Sequence, residues 1–323
     1  MLRKIRNIKC LTPIIKVRDR FMEKCGLFKW KAKWKKKMFY FQLKWEDANF
    51  KKKVEQKLRH VPAGTIDGKY TANDVIISVT SYGKRVSDTL PYMLYSLLEQ
   101  TKLPHKVVVY LDKNHWSDGQ LPPILKECQR IGIDFVYCDD LLSYKKLIPA
   151  LKMFPDNPII TFDDDFYYNP HIIEWLIRDY KKSDKRTVIG SWGGIVEYKD
   201  GEYAPYTQWK DCACRKGDEE ISLYAGNGTI YPPHLFDEEI SNKDVFLDLA
   251  PTADDIWFWV MEKREGIKIQ LIPEAGGHIN RPVNRIDAFV FEKGNALYYE
   301  NCVLGKNDEQ FYKLIEKYLC ESK

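Results

Sequence analysis

The chain has 323 residues with 44% hydrophobic and 14% aromatic content, which allows a large buried core and excludes global disorder. Its net charge of +5 hides an asymmetry: residues 1–60 hold 20 Lys+Arg against 5 Asp+Glu, and the remainder holds 31 against 41. A basic segment is joined to an acidic body, a pattern that points to a polyanionic surface as partner.

The 8 cysteines, Cys10, Cys25, Cys128, Cys138, Cys212, Cys214, Cys302 and Cys320, are scattered without a C-x-x-C pair. Reduced thiols are expected rather than a secreted disulfide framework, and "CAC" at Cys212–Cys214 has no second pair with which to hold a metal. The first twenty residues carry charge throughout and lack the apolar core of a signal peptide. No uninterrupted apolar run approaches the ~18 residues of a membrane span. A cytoplasmic location is the expectation by elimination.

In residues 21–58, Leu27, Trp30, Trp34, Met38, Phe41, Trp45 and Ala48 recur at spacings of three and four, with lysines mostly between them. That period predicts an amphipathic helix. Such a helix either packs on the body with a solvated lysine face or lies on an anionic membrane. No nucleic-acid-binding motif accompanies the charge, and a nucleic-acid partner is not expected. Turn-rich residues 61–74, "VPAGTIDGKYTAND", read as a linker.

Strands and helices then alternate. Strands are expected at Val75–Ser81, Lys106–Asp112, Ile133–Cys138 and Pro158–Phe162, and helices at Asp88–Gln100, Pro122–Ile131 and Tyr144–Phe154. Continuous apolar strands separated by helices predict a mostly parallel sheet flanked by helices, that is, an α/β domain over 75–285 with a C-terminal helical segment over 286–323. Ligands of such sheets bind at the carboxyl ends of the strands. Asp112 and the run Asp163, Asp164, Asp165 in "PIITFDDDFYYNP" stand at two such ends. Adjacent carboxylates repel one another, and a bound cation would relieve them.

Four segments, "IISVTSYGKR" with "SLLEQTKLPHKVVVYLD", "SYKKLIPAL", "TFDDDFYYNP" and "PTADDIWFWVM", in this order, carry a family likeness. Together they resemble nucleotide-sugar glycosyltransferases of the GT-A (Rossmann-like) fold, related to the family 2 enzymes of bacterial polysaccharide and lipopolysaccharide assembly. The resemblance covers about Val75 to Met261. It implies an inverting transfer from a nucleotide sugar, UDP-linked by analogy, to a glycan or lipid-linked acceptor, with Mn2+ or Mg2+ bridging the donor diphosphate.

By the same resemblance Asp165 holds the metal, Asp163 stands beside it or reaches the ribose, and Asp164 lies between them. Thr80, Ser81 and Tyr82 seat the nucleobase and ribose, and Asp112 meets the base. Arg85 and Lys146 are candidates for phosphate contact or for solvated surface. The loops "GSWGGIVEY" and "YAGNGTIYPP" resemble those that shape donor-sugar and acceptor sites, with Trp192 available to stack on a sugar or to fill core. In "PTADDIW" either Asp254 or Asp255 is the catalytic base, Asp255 matching the second acid of the family's pair. Such an acid at a helix start is expected to stay ionised at neutral pH. The alternative is a capping box formed by Thr252 and Asp255. His278 in "GGHIN" is either a further metal ligand or structural.

Two other classes fit parts of this pattern. A phosphohydrolase would use the aspartates, but Asp165 is followed by Phe166 rather than the Gly of a D-x-D-G-[ST] nucleophile motif, which leaves nucleotide-sugar hydrolysis. A non-catalytic membrane- or glycan-binding protein would not require both acidic sites.

Overall fold

The computed structural model describes residues 27–212, 217–285, 301 and 304–320. The chain divides into two compact units, one ending at Phe50 and the other beginning at Lys51. The expected helix over 21–58 is observed as α1, Leu27–His60, with 21–26 outside the described residues. In the first unit α1 leaves Trp34, Met38, Phe41 and Trp45 exposed.

In the second unit the last turns of α1 are seated through Val54 and Leu58, which are 3% and 0% exposed. Lys51 Nζ donates to Asp88 O (2.6 Å), and Tyr92 OH donates to Glu55 (2.7 Å). The turn-rich segment after α1, expected as a linker, is fastened to the domain. Gly64 N and Ile66 N donate to Arg130 O and Ile131 O, and Gly68 N donates to His105 O. Ile66 is buried, and Gly132 lets its backbone approach: a Cβ at 132 would lie 1.8 Å from Ile66 O.

β-Branched and aromatic runs form the strands where the sequence places them, each within a residue or two of the expected bounds. These are β1 Ile76–Thr80, β2 Lys106–Asp112, β3 Asp134–Cys138 and β4 Ile159–Phe162. Helix α2 is Leu90–Leu98, preceded by a short turn of helix at Arg85–Asp88, and α3 is Pro123–Ile131, closed by Gly132 in the left-handed conformation. The helix expected over Tyr144–Phe154 is a 3-10 turn, Leu142–Lys146, followed by α4, Ile148–Met153. Pro149 accounts for the break: without an N–H it cannot continue a helical hydrogen-bond ladder and is accommodated only in a first turn, so a new helix starts around it.

Beyond β4 come α5 Ile172–Lys182, β5 Thr187–Gly190, β6 Gly193–Ile195, β7 Lys210–Asp211, β8 Ile221–Leu223 and β9 Asn227–Tyr231. Then follow α6 Lys243–Leu249, α7 Asp254–Arg264, β10 Lys268–Leu271 and α8 Lys306–Tyr318. The central seven-stranded sheet has the order β10-β5-β9-β4-β1-β2-β3. All its pairings are parallel except those of β9, which runs antiparallel to both β4 and β5. Strands β7, β6 and β8 form a small antiparallel sheet. The protein is thus an α/β fold with a mostly parallel sheet flanked by helices.

Helix α7 is apolar all round, with Ile256, Trp257, Phe258, Trp259, Val260 and Met261 each 1% exposed or less. A helix of that composition is held on every side, and each such side chain contributes roughly 1.5–3 kcal/mol. Its N-terminus is therefore a fixed point. Among the described cysteines, Cys128, Cys138 and Cys320 are free thiols, and Cys212 Sγ accepts from Gly193 N at 3.3 Å; Cys10, Cys25, Cys214 and Cys302 lie outside the described residues. So do 286–300 of the expected C-terminal segment.

Candidate active site

The carboxyl ends of β1, β2 and β4 converge, and the N-terminus of α7 joins them. The three aspartates after β4 do not behave alike. Asp164 is buried (side chain 4% exposed), while Asp163 and Asp165 keep 33% and 31% exposed. Asp164 accepts from Ser81 Oγ and from Arg85 Nη1 (2.9 Å), so the middle acid is an internal anchor for the end of β1.

Two cations meet these acids. Arg85 also approaches Asp165 Oδ2 at 3.1 Å. Lys146, 5% exposed, places its ammonium 2.6 Å from Asp163 Oδ1 and 3.2 Å from Asp254 Oδ2. Burial alone would depress the Lys146 pKa, but Asp163, Asp254 and Asp255 outweigh it and hold the ammonium well above its usual range. Lys146 thereby ties the β4 acids to the α7 acids rather than presenting a free charge to a phosphate. Asp254 is fixed further by Ser143 Oγ, which donates to it at 2.8 Å.

Asp255 accepts from Ala225 N at 2.9 Å. The protein packed around it, with Asp254 and Asp163 nearby, pushes its carboxyl up to about 8. The expectation of an acid ionised by the helix dipole is corrected here, because desolvation and like charge exceed the dipole. The alternative capping box is also absent. Ala253 is the N-cap, and Thr252 Oγ1 is instead engaged with Asn301 (2.7 Å) and Gln310 (3.2 Å).

The segment Tyr224–Asn227, which leads into β9, links both acid pairs. Ala225 N holds Asp255, while Asp163 N and Tyr168 OH both donate to Gly226 O at 2.6 Å. A Cβ at Gly226 would lie 1.8–2.0 Å from the atoms of the Asp163 carboxyl. On the far side, Tyr224 packs edge-on against Trp192 (centroids 5.2 Å apart), whose Nε1 donates to Asp211 at 2.7 Å. Ser143, Tyr168 and Gly226 were not among the expected site residues; for Gly226 the glycine-bearing loop was the available sign.

At the nucleotide end, Thr80 Oγ1 is used within the sheet, donating to Tyr110 O at 2.9 Å. Tyr82 is 54% exposed, with the Arg85 guanidinium 5.3 Å from its ring centroid. Burial would raise the Asp112 carboxyl, but hydrogen bonds from Asn114 N (2.9 Å) and His115 more than offset it and hold it below the usual range.

His278 is exposed on the turn Gly277–Ile279. Among the described residues no three His, Cys, Asp or Glu side chains are grouped so as to hold an ion by themselves, so the expected set Asp165, Asp163 and His278 is not assembled. Two carboxylates, Asp163 and Asp165, nevertheless stay partly exposed as oxygen donors of the kind a hard divalent cation takes. Five carboxylates, those of Asp163, Asp164, Asp165, Asp254 and Asp255, are faced by Lys146 and Arg85. Burial and the two neighbouring aspartates push Asp165 up to about 7, against the pull of Arg85. Mg2+ and similar ions are commonly held by one or two carboxylates, with phosphate and water completing the shell.

No family model matches the chain. Among curated proteins it is similar to the polyribonucleotide 5'-hydroxyl-kinase Clp1 of Danio rerio, at 24% identity over 137 residues, 42% of this chain and 28% of that protein. The chain thus matches less than a third of that relative's length. It contains no G-x-x-x-x-G-K-[ST] phosphate-binding loop.

Among solved structures it is similar to glucosyl-3-phosphoglycerate synthase from Mycobacterium tuberculosis in complex with Mn2+, UDP and glucosyl-3-phosphoglycerate. That match has 11% identity, covers 77% of this chain and 81% of the other, and has a TM-score of 0.43. TarS of S. aureus in complex with UDP matches at 17% identity, 62% and 59% coverage and a TM-score of 0.40. A cytidylyltransferase from Leptospira borgpetersenii matches at 13% identity, 75% and 97% coverage and a TM-score of 0.39. At these scores the likeness says nothing of activity, and the fold class stands on the strand order of the chain itself.

Proposed function

We propose that the chain is a metal-dependent, inverting glycosyltransferase of the GT-A fold, related to family 2. It moves a sugar from a nucleotide sugar to a glycan or lipid-linked acceptor in cell-surface polysaccharide assembly, at the cytoplasmic face of a membrane. The observation that carries this reading is the excess of carboxylates at the carboxyl edge of the sheet, divided between two elements: Asp163 and Asp165 after β4, and Asp255 at the fixed start of α7.

Asp165, with Asp163 beside it, would hold Mn2+ or Mg2+. The bound ion would neutralise charge on the leaving diphosphate. Asp112, kept ionised by Asn114 and His115, can only accept hydrogen bonds. It suits a base that offers a ring N–H, as uracil does, which favours a UDP-linked donor. The exposed ring of Tyr82 is available for stacking on that base. Asp255 takes the proton of the acceptor hydroxyl as its oxygen attacks the anomeric carbon and the bond to the diphosphate breaks. Asp254 and Lys146 fix Asp255 and Asp163 relative to each other.

The test is a thermal shift with UDP and Mn2+, followed by a screen of UDP-, GDP-, CMP- and TDP-sugars for released nucleotide. Binding should raise Tm by mass action. No shift with any nucleotide would remove the transferase reading and leave a non-catalytic domain.

A further inference from the structure

We infer that the stripe Trp34, Met38, Phe41 and Trp45 of α1 is a docking face for an anionic lipid bilayer. This deepens the proposed setting of the enzyme and rests on that reading only for its purpose, not for the surface itself.

The four residues follow one another at spacings of four, three and four, which puts them on a single line along the helix. They are 54%, 44%, 65% and 62% exposed. Single exposed apolar residues are ordinary, but a continuous row of large ones marks an interaction site. Lys33, Lys35, Lys36, Lys37 and Lys44 are exposed in the same stretch. At 100° per residue, Lys33, Lys37 and Lys44 fall on one shoulder of the stripe and Lys35 on the other. Long lysine stems on the shoulders can reach past an apolar face to a charged layer above it.

Charge decides between occupants. Residues 27–50 carry seven lysines against Glu46 and Asp47. A second copy of the same face would bring lysines against lysines. A nucleic acid would pair with the lysines and leave the Trp and Phe side chains in water. An anionic bilayer satisfies both: the aromatic side chains enter the boundary between acyl chains and headgroups, and the lysines meet lipid phosphates. Among the described residues no helix is long and apolar enough to cross a membrane, so this one lies on the surface.

The experiment is flotation of the full chain with phosphatidylcholine vesicles, with and without phosphatidylglycerol, at low and high salt. Two variants are compared, Trp34→Ser/Phe41→Ser/Trp45→Ser and Lys33→Gln/Lys37→Gln/Lys44→Gln. Wild type should bind only the anionic vesicles and release at high salt, and each variant should bind about tenfold or more weakly. The UDP and Mn2+ thermal shift, read on the same samples, should be equal in all three proteins and verifies their folding. If wild type ignores anionic vesicles at low salt, or the serine variant binds as well as wild type, the inference is overturned. It is equally overturned if wild type is a dimer that the serine variant converts to a monomer. If vesicle binding is lost in the variants while no protein responds to nucleotide, the docking face stands and the enzymatic reading fails.

Discussion

Gly226 and Asp163 share one small volume: a Cβ on residue 226 would sit within 2.0 Å of the Asp163 carboxyl oxygens. Gly226 also receives the Asp163 N–H through its carbonyl at 2.6 Å. The loop is thus a mould for the acid on two sides. Gly226→Ala must displace either the carboxyl or the loop. Misplacement by about 1 Å can cost ~10²-fold in rate, and overpacking costs about 1–3 kcal/mol in stability. Activity should therefore fall much more than the urea midpoint indicates. Unchanged kcat/KM in a folded variant would mean that the mould is not needed.

Asp165→Asn tests the proposed ion. The substitution removes a carboxylate oxygen from a partly exposed position and should abolish the Mn2+-dependent rise in Tm on adding UDP. The ligand-free protein should lose nothing, because three adjacent acids repel and Asp165 is already pushed up to about 7 by its surroundings and by Asp164 and Asp163. A normal response of the variant to UDP and Mn2+ would place the ion elsewhere.

Asp255 gives a pH signature. As a base it must be deprotonated, and its carboxyl lies near 8 through burial and the charges of Asp254 and Asp163. Transfer should therefore rise with pH through about 8. Asp255→Asn should keep UDP binding and lose about 10²–10⁴ in rate. Product with the donor's own anomeric configuration, read by NMR coupling, would exclude the mechanism.

The same carboxyl links folding to pH. Its folded value lies above the ~3.9 of a free aspartate, so the folded state binds the proton more tightly. That contribution is complete below about pH 4 and is lost as pH rises through about 8. The Tm of the ligand-free protein should decline between pH 5 and 9 more steeply in wild type than in Asp255→Asn. Parallel curves for the two proteins would show that Asp255 is not perturbed.

Lys146→Met leaves Asp163 and Asp254 facing each other without their shared cation. Removing one partner of a buried ion pair costs about 3–5 kcal/mol. Urea unfolding should show a loss of that order, partly restored in Lys146→Met/Asp254→Asn. A loss below about 1 kcal/mol would mean that the pair is effectively solvated.

The strands β1 to β4 were legible because each is a short apolar run closed by polar residues, and the aspartates after β4 stand out for the same reason. Lys106–Asp112 is observed with the bounds that the sequence suggests. What could not be read was set by distant neighbours. Nothing local says that Lys146 is buried between Asp163 and Asp254, since "SYKKL" contains two adjacent lysines. Lys145 turns to Asp140 instead. The helix-start position of Asp255 was visible, but its desolvation and its nearness to Asp254 and Asp163 depend on the fold. The two-residue strand β7 has no periodicity to recognise.

The reversed direction of β9 has one more consequence. A parallel strand would send its following loop to the carboxyl edge of the sheet; β9, running the other way, delivers the loop that precedes it. That loop reaches both acid pairs through two consecutive residues, Ala225 to Asp255 and Gly226 to Asp163. The two halves of the site therefore share one short length of backbone and cannot drift independently during evolution. A change that re-aims one acid is carried to the other, so substitutions around Asp163 and around Asp255 should not combine additively. Variation in substrate preference is correspondingly easier to accommodate at Asp112, the last residue of β2, and at Tyr82, just beyond β1.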